Sequence, residues 1–161
     1  TVMMKWIPWV KYGLLALLAL FLVALCWTDN YPDKPISEIE EALLKEQSVA
    51  SLHKGNANDL RRYYGLDETM FDGVTLYLSE ATMEVDELLV VKMKSTDQTE
   101  TVESAVEKRV EQQKESFEGY GAEQTALLSN HVLEIKGQYV FFGVSKNAQL
   151  WESEFIQAIK K

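Results

Sequence analysis

Between Tyr12 and Trp27 the chain runs YGLLALLALFLVALCW, sixteen residues without a charge, behind Lys5 and Lys11 near its beginning. As a helix this run spans ~24 Å, a little short of a ~30 Å hydrocarbon core. Extending the helix back through Trp6, Ile7, Trp9 and Val10, with Lys11 snorkelling, closes the gap. Trp9 and Tyr12 on one side, and Trp27 and Tyr31 on the other, match the aromatic belts of the two interfaces. The sequence therefore predicts a membrane contact through residues 6–27. It divides the chain into an anchor (1–28), a linker (29–35) and a separate domain (36–161).

Three kinds of N-terminal segment share this pattern. A cleavable signal peptide needs small residues before the cut, and around Ala24-Leu25-Cys26 only Ala24 is small. A bacterial lipoprotein signal would make Cys26 the lipidated residue; Val23-Ala24-Leu25-Cys26 has nearly that form, with Leu25 where a small residue is expected. An uncleaved signal anchor, with Cys26 a small hydrophobe in the helix, fits best. All three put the domain on the same side. Lys5 and Lys11 precede the run while Asp29 and Asp33 follow it, so the N-terminus stays in the cytoplasm and residues 28–161 lie outside. The expected address is the cytoplasmic membrane, crossed once, with the C-terminal domain on the outer face. The opening Thr-Val-Met-Met points to Met3 or Met4 as the natural first residue. With a single Cys, no disulfide forms within the chain, and the domain must hold by packing.

All 25 acidic residues follow residue 28, against 14 of the 16 basic ones, so the outer part carries −11. That balance argues against nucleic acid as a partner and against adhesion to anionic lipid or wall polymer. Tyr31-Pro32-Asp33-Lys34-Pro35 reads as a short stiff spacer.

Ser37 with Glu40 forms a capping-box pattern ahead of Ile39, Leu43 and Leu44. Asn56 or Asn58 can cap a short helix carrying Leu60, Tyr63 and Tyr64, with Gly65 as its stop. Val74, Leu76 and Leu78 then alternate with polar residues as a strand, and Leu88 to Lys94 is a second. Val102, Val106, Val110 and Phe117 form the apolar stripe of a long helix over about 97–118, whose other face is polar and solvated. A turn or two of helix (123–130), a hairpin around Gly137 and a final helix capped by Asn147, burying Leu150, Trp151, Phe155, Ala158 and Ile159, complete the chain. The economical fold is α+β: an N-terminal transmembrane helix, then a two-layer sandwich of a four-stranded, mainly antiparallel sheet with amphipathic helices on one face.

Ser51-Leu52-His53-Lys54 fits the S-x-x-K pattern of penicillin-binding proteins and β-lactamases, but the companion elements are missing and the tetrad ends a helix rather than opening one. His53 and His131 stand alone, without the neighbours a zinc site needs. No catalytic set, metal cluster or cofactor motif emerges. Two stretches are odder than their surroundings: Arg61-Arg62-Tyr63-Tyr64-Gly65, with the only adjacent arginines, and the aromatic-glycine turn Gly119-Tyr120-Gly121. Either their aromatics pack into the core and the glycines supply positive φ, or Arg61, Arg62, Tyr63, Tyr64, Gly119, Tyr120 and Gly121 form a recognition surface, since Tyr and Arg are the usual binding hot spots.

The same stretches, with Tyr64-Gly65-Leu66 leading to Phe71-Asp72-Gly73-Val74-Thr75-Leu76-Tyr77, then Glu87-Leu88-Leu89-Val90-Val91-Lys92 and Phe117-Glu118-Gly119-Tyr120-Gly121, resemble the family known as domain of unknown function 4358. The resemblance runs from about Ile36 to the C-terminus. It implies a small surface protein of clostridia and relatives, anchored by a lipoprotein signal or one helix, and an accessory role in modifying a cell-surface polymer. That family has no established activity, so no catalytic residue carries over. The expected function is a membrane-tethered accessory or interaction domain whose partner is another membrane or surface protein. The alternative is a small extracytoplasmic hydrolase or transferase whose groups assemble only in the fold.

Overall fold

The structure, a computed structural model, describes residues 3–26 and 31–161, which fall into two compact units divided between residues 30 and 31. In the first, helix α1 (Ile7–Cys26) follows a short 3-10 turn (Met3–Lys5). Twenty residues rise ~30 Å. Ile7–Leu25 has a hydropathy of 2.0 with none of it buried, so the helix is long and apolar enough to cross a membrane. Thr1, Val2, Trp27, Asp29 and the side chain of Cys26, on which parts of the sequence reading rest, lie outside the described residues.

The second unit runs α2 (Ile36–Leu44), α3 (Gln47–Ala50), β1 (His53–Lys54), α4 (Ala57–Tyr64), β2 (Gly73–Leu78), β3 (Glu87–Lys92), α5 (Thr99–Phe117), α6 (Ala122–Ser129), β4 (Val132–Lys136), β5 (Tyr139–Val144) and α7 (Ala148–Lys160). Its sheet is antiparallel throughout, in the order β1-β2-β3-β5-β4. The α+β class holds, but there are five strands rather than four. The extra one is β1, where His53 pairs with Leu78 and Lys54 with Tyr77. Two residues are too few to carry a periodicity.

The sandwich has three layers rather than two. All six residues of β3 and all six of β5 are buried, and successive strand residues face opposite sides. Leu89, Val91, Val140 and Phe142 join the stripe Val102, Val106, Val110 and Phe117 of α5, with Leu60 of α4 and Leu128 of α6. Leu88, Val90 and Phe141 point the other way, to Ile39 and Leu43 of α2, Val49 of α3 and Trp151, Phe155 and Ile159 of α7. Strands that are apolar without alternation need cover on both faces.

Local signals were obeyed unevenly. Asn56 caps α4, accepting from the backbone N–H of Asn58 and Asp59 while Asp59 accepts from Asn56 in return. Gly65 stops that helix at φ +65. The Ser37–Glu40 box does not form: α2 opens directly after Pro35 without a side-chain cap. Glu40 instead accepts from the Tyr77 hydroxyl and pairs with Lys54, each at 2.6 Å. Asn147 precedes α7 without capping it through its side chain, and Leu44 and Leu150 face solvent.

The expected spacer is part of the domain from Tyr31 onward. The Lys34 N–H donates to the Tyr139 hydroxyl at 3.0 Å, and that hydroxyl lies within hydrogen-bond reach of the Pro32 and Lys34 carbonyls. Lys34 Nζ donates to the carbonyl of Ala158 in α7 at 3.1 Å. Asp33 pairs with the buried Lys92. Two prolines stiffen the segment, but these polar anchors lay it against the α7 side of the sheet.

Candidate functional site

Helix α4 places the arginine–tyrosine stretch. Its cap fixes the phase, so Leu60 and Tyr64 turn inward and Arg61 and Arg62 outward. Arg61 reaches Asp67 at 3.7 Å across an exposed surface. The Arg62 guanidinium lies 5.4 Å from the centre of the Tyr63 ring, and Arg109 of α5 lies 4.5 Å from the same ring. Tyr63 is thus half-buried between two cations, an arrangement that an aromatic face favours.

Tyr64 does not belong to this surface. It is buried, and its hydroxyl donates to Glu87 Oε2 at 2.8 Å. Arg109 donates to both oxygens of the same carboxylate, Nε to Oε2 at 3.1 Å and Nη2 to Oε1 at 2.9 Å. The result is a closed polar set inside the α5 face, every member answered by another. Burial drives the Tyr64 hydroxyl well above its ordinary range, and the charge of Glu87 adds to that. Burial alone would lower Arg109, but its bonds to Glu87 outweigh this and hold it raised. Such a set can position and stiffen elements; it exposes no group to a substrate. Arg109 is the residue the sequence reading missed. It looked like one more polar residue of a solvated face, yet it stands beside Val110 and three residues after Val106, at the rim of the apolar stripe.

The aromatic-glycine turn closes α5. Gly119 adopts φ +87, and a Cβ at Gly121 would come within 2.6 Å of the Phe117 ring. Gly119 answers to its positive φ, and Gly121 to the Phe117 side chain packed against it. Tyr120 is 66 % exposed, its ring 5.8 Å from that of Phe117 and its hydroxyl donating to the Ser116 carbonyl. It borders an open groove of about 740 Å³ with Lys114, Glu118 and Thr125. Eight residues of α5, Val110 to Phe117, follow Arg109 before the turn, an axial rise of ~12 Å. Arg61, Arg62 and Tyr120 are exposed, and Tyr63 is half-buried.

A second concavity of about 670 Å³ lies where Ser48, Ser79, Glu84, Asp86, Glu123 and Lys146 meet. Burial raises the Asp86 carboxyl, which accepts from the Ser145 hydroxyl at 3.0 Å. The S-x-x-K tetrad is not assembled: the Ser51 hydroxyl donates to the Ser48 carbonyl at 3.1 Å, and Lys54 is engaged with Glu40. His53 Nδ1 lies 3.4 Å from Glu80 in solvent, and His131 Nδ1 lies 2.6 Å from the Leu128 carbonyl. Among the described residues, no group of three or more His, Cys, Asp or Glu side chains is placed to hold a metal.

Searches among curated proteins and solved structures found no match. A family model does match, over residues 45–145, a narrower span than the resemblance from Ile36 to the C-terminus suggested. That span holds the whole sheet, the Tyr64–Glu87–Arg109 set and the Gly119–Gly121 turn, and by it the chain belongs to the family described as a domain of unknown function (DUF4358).

Proposed function

We propose that this protein is a membrane-tethered accessory domain that binds another membrane or surface protein on the outer side of the cytoplasmic membrane. The supporting observation is the exposure, in a strongly acidic domain, of Arg61 and Arg62 on α4 and of Tyr120 beside the groove at Gly119. Arginine and tyrosine are the side chains that most often anchor an interface. The uncharged run from Tyr12, with Lys5 and Lys11 ahead of it and the acidic surplus after it, supports the outward orientation. The resemblance points the partner toward the machinery that modifies cell-surface polymers.

The test is capture from native membranes. The full chain should retain a defined membrane or surface protein, and Arg61→Ala/Arg62→Ala/Tyr120→Ala should lose it while keeping its circular dichroism spectrum. Undiminished capture by the triple variant would remove this surface from consideration. The enzymatic alternative draws on the raised carboxyl of Asp86 in its concavity, since shifted groups in clefts are candidate acids or bases. A turnover abolished by Asp86→Asn, with capture unaffected, would favour it.

A further inference from the structure

The two edges of the sheet are finished differently. At one edge β1 is two residues long and presents little backbone to a neighbour; at the other, β4 is five residues long and, among the described residues, pairs with β5 alone. Lys136 and Tyr139 flank a two-residue turn that begins at Gly137, φ +58. In such a hairpin the flanking pair is hydrogen-bonded and every second pair after it. Lys136, Glu134 and Val132 therefore turn their backbone groups toward β5, while those of Ile135 and Leu133 face outward. An edge of this kind is a template for another strand.

We propose that β4 pairs antiparallel with β4 of a second copy of this chain, centred on Ile135, so that Glu134 of each copy lies opposite Lys136 of the other.

Charge selects this register. Antiparallel pairing requires outward-facing residues to meet, which leaves three alignments. Centring on Glu134 sets the two Glu134 carboxylates against each other. Centring on Leu133 places Glu134 opposite Val132. Centring on Ile135 makes two opposite-charge cross-strand pairs, the favourable arrangement on a sheet face. Within one copy Lys136 serves Glu134 at 3.1 Å, and Glu152 of α7 stands close by; burial and then Glu134 push the Glu152 carboxyl up. Two carboxylates thus share one lysine within each copy, and the register centred on Ile135 sets that lysine against the Glu134 of the other copy as well.

Symmetry favours a second copy over an unrelated strand. Two antiparallel strands in one sheet are related by a two-fold axis perpendicular to that sheet. The α7 faces of both copies then point the same way. Residues 31–35 run along that face in each, tied to Tyr139 and Ala158. Residues 31–35 therefore lie on the same side of the joined sheet in both copies.

Sedimentation equilibrium of the full chain in detergent micelles tests this. The wild type should dimerise. Glu134→Lys alone and Lys136→Glu alone should each weaken the dimer about tenfold, since two attractive pairs become repulsive. Mixing the two single variants should restore association, because every cross-strand pair in the mixed dimer is again Lys against Glu. That mixture also guards against folding defects, which mixing cannot repair. A monomeric wild type, a dimer indifferent to both swaps (as association through α1 alone would be), or a mixture that stays monomeric would each overturn the proposal.

Discussion

Two carboxylate–cation pairs stand on the same sheet, one at its centre and one at its edge. Glu87 and Arg109 meet at 2.9 Å with side chains 4 % and 12 % exposed. Glu134 and Lys136 meet at 3.1 Å with 29 % and 31 % exposed. Distance barely separates them; burial does. In the interior, water cannot replace a lost partner, so breaking the central pair strands a charge at a cost of about 3–5 kcal/mol. At the edge, solvent and the neighbouring carboxylate share the work, and an exposed pair contributes about 1 kcal/mol or less. The central set spends its polar groups on each other. The edge pair retains a surface on which a second chain can act.

The largest test of that contrast is Arg109→Met, which should cost about 3–5 kcal/mol in denaturant unfolding because Glu87 and the Tyr64 hydroxyl lose their cation. A chain begun at Ile36 rather than Tyr31 should come next, losing about 2–3 kcal/mol as Lys92 and the Tyr139 hydroxyl are left without Asp33 and the Lys34 backbone. Cooperative melting at an unchanged temperature would return 31–35 to the role of a spacer. Tyr64→Phe should cost about 1.5–3 kcal/mol, the range for a hydrogen bond to a charged group, and should also change the response to alkali. The folded hydroxyl is raised above its ordinary value near 10, so its contribution is complete below pH 10 and is lost as pH rises toward the folded value, where the unfolded chain releases its proton first. The wild type should therefore weaken above pH 10 more steeply than Tyr64→Phe; parallel alkaline limbs would contradict the hydrogen bond. Glu134→Gln, the smallest effect, should change the stability of the isolated fold by under about 1 kcal/mol.

The same contrast explains what could be read from the sequence. The apolar run over 12–27 and the stripe Val102, Val106, Val110 and Phe117 announce their elements because water punishes any other placement. The hairpin at Gly137 and the stop at Gly65 follow from positive φ. The two-layer expectation fails because neither β3 nor β5 alternates: Leu88-Leu89-Val90-Val91 and Val140-Phe141-Phe142 call for cover on both faces. The single charge heading β3, Glu87, carried the signal of a buried partner, but nothing local named Arg109, twenty-two residues on. Of the suspected surface, Tyr64 proved internal, while Arg61, Arg62 and Tyr120 stayed outside, because only α4 packing against α5 decides which tyrosine turns inward. The docking of Asp33 on Lys92 was invisible for the same reason. Long-range polar contacts leave no periodicity.

The most direct measurement of the central claim compares Arg109→Met with Glu87→Leu/Arg109→Met by equilibrium unfolding. If burial makes the central pair costly to break by halves, the single variant loses about 3–5 kcal/mol and the double variant, which strands no charge, recovers most of that loss. A single variant that loses less than about 1 kcal/mol, or a double variant no more stable than the single, would show that centre and edge do not differ as the fold requires.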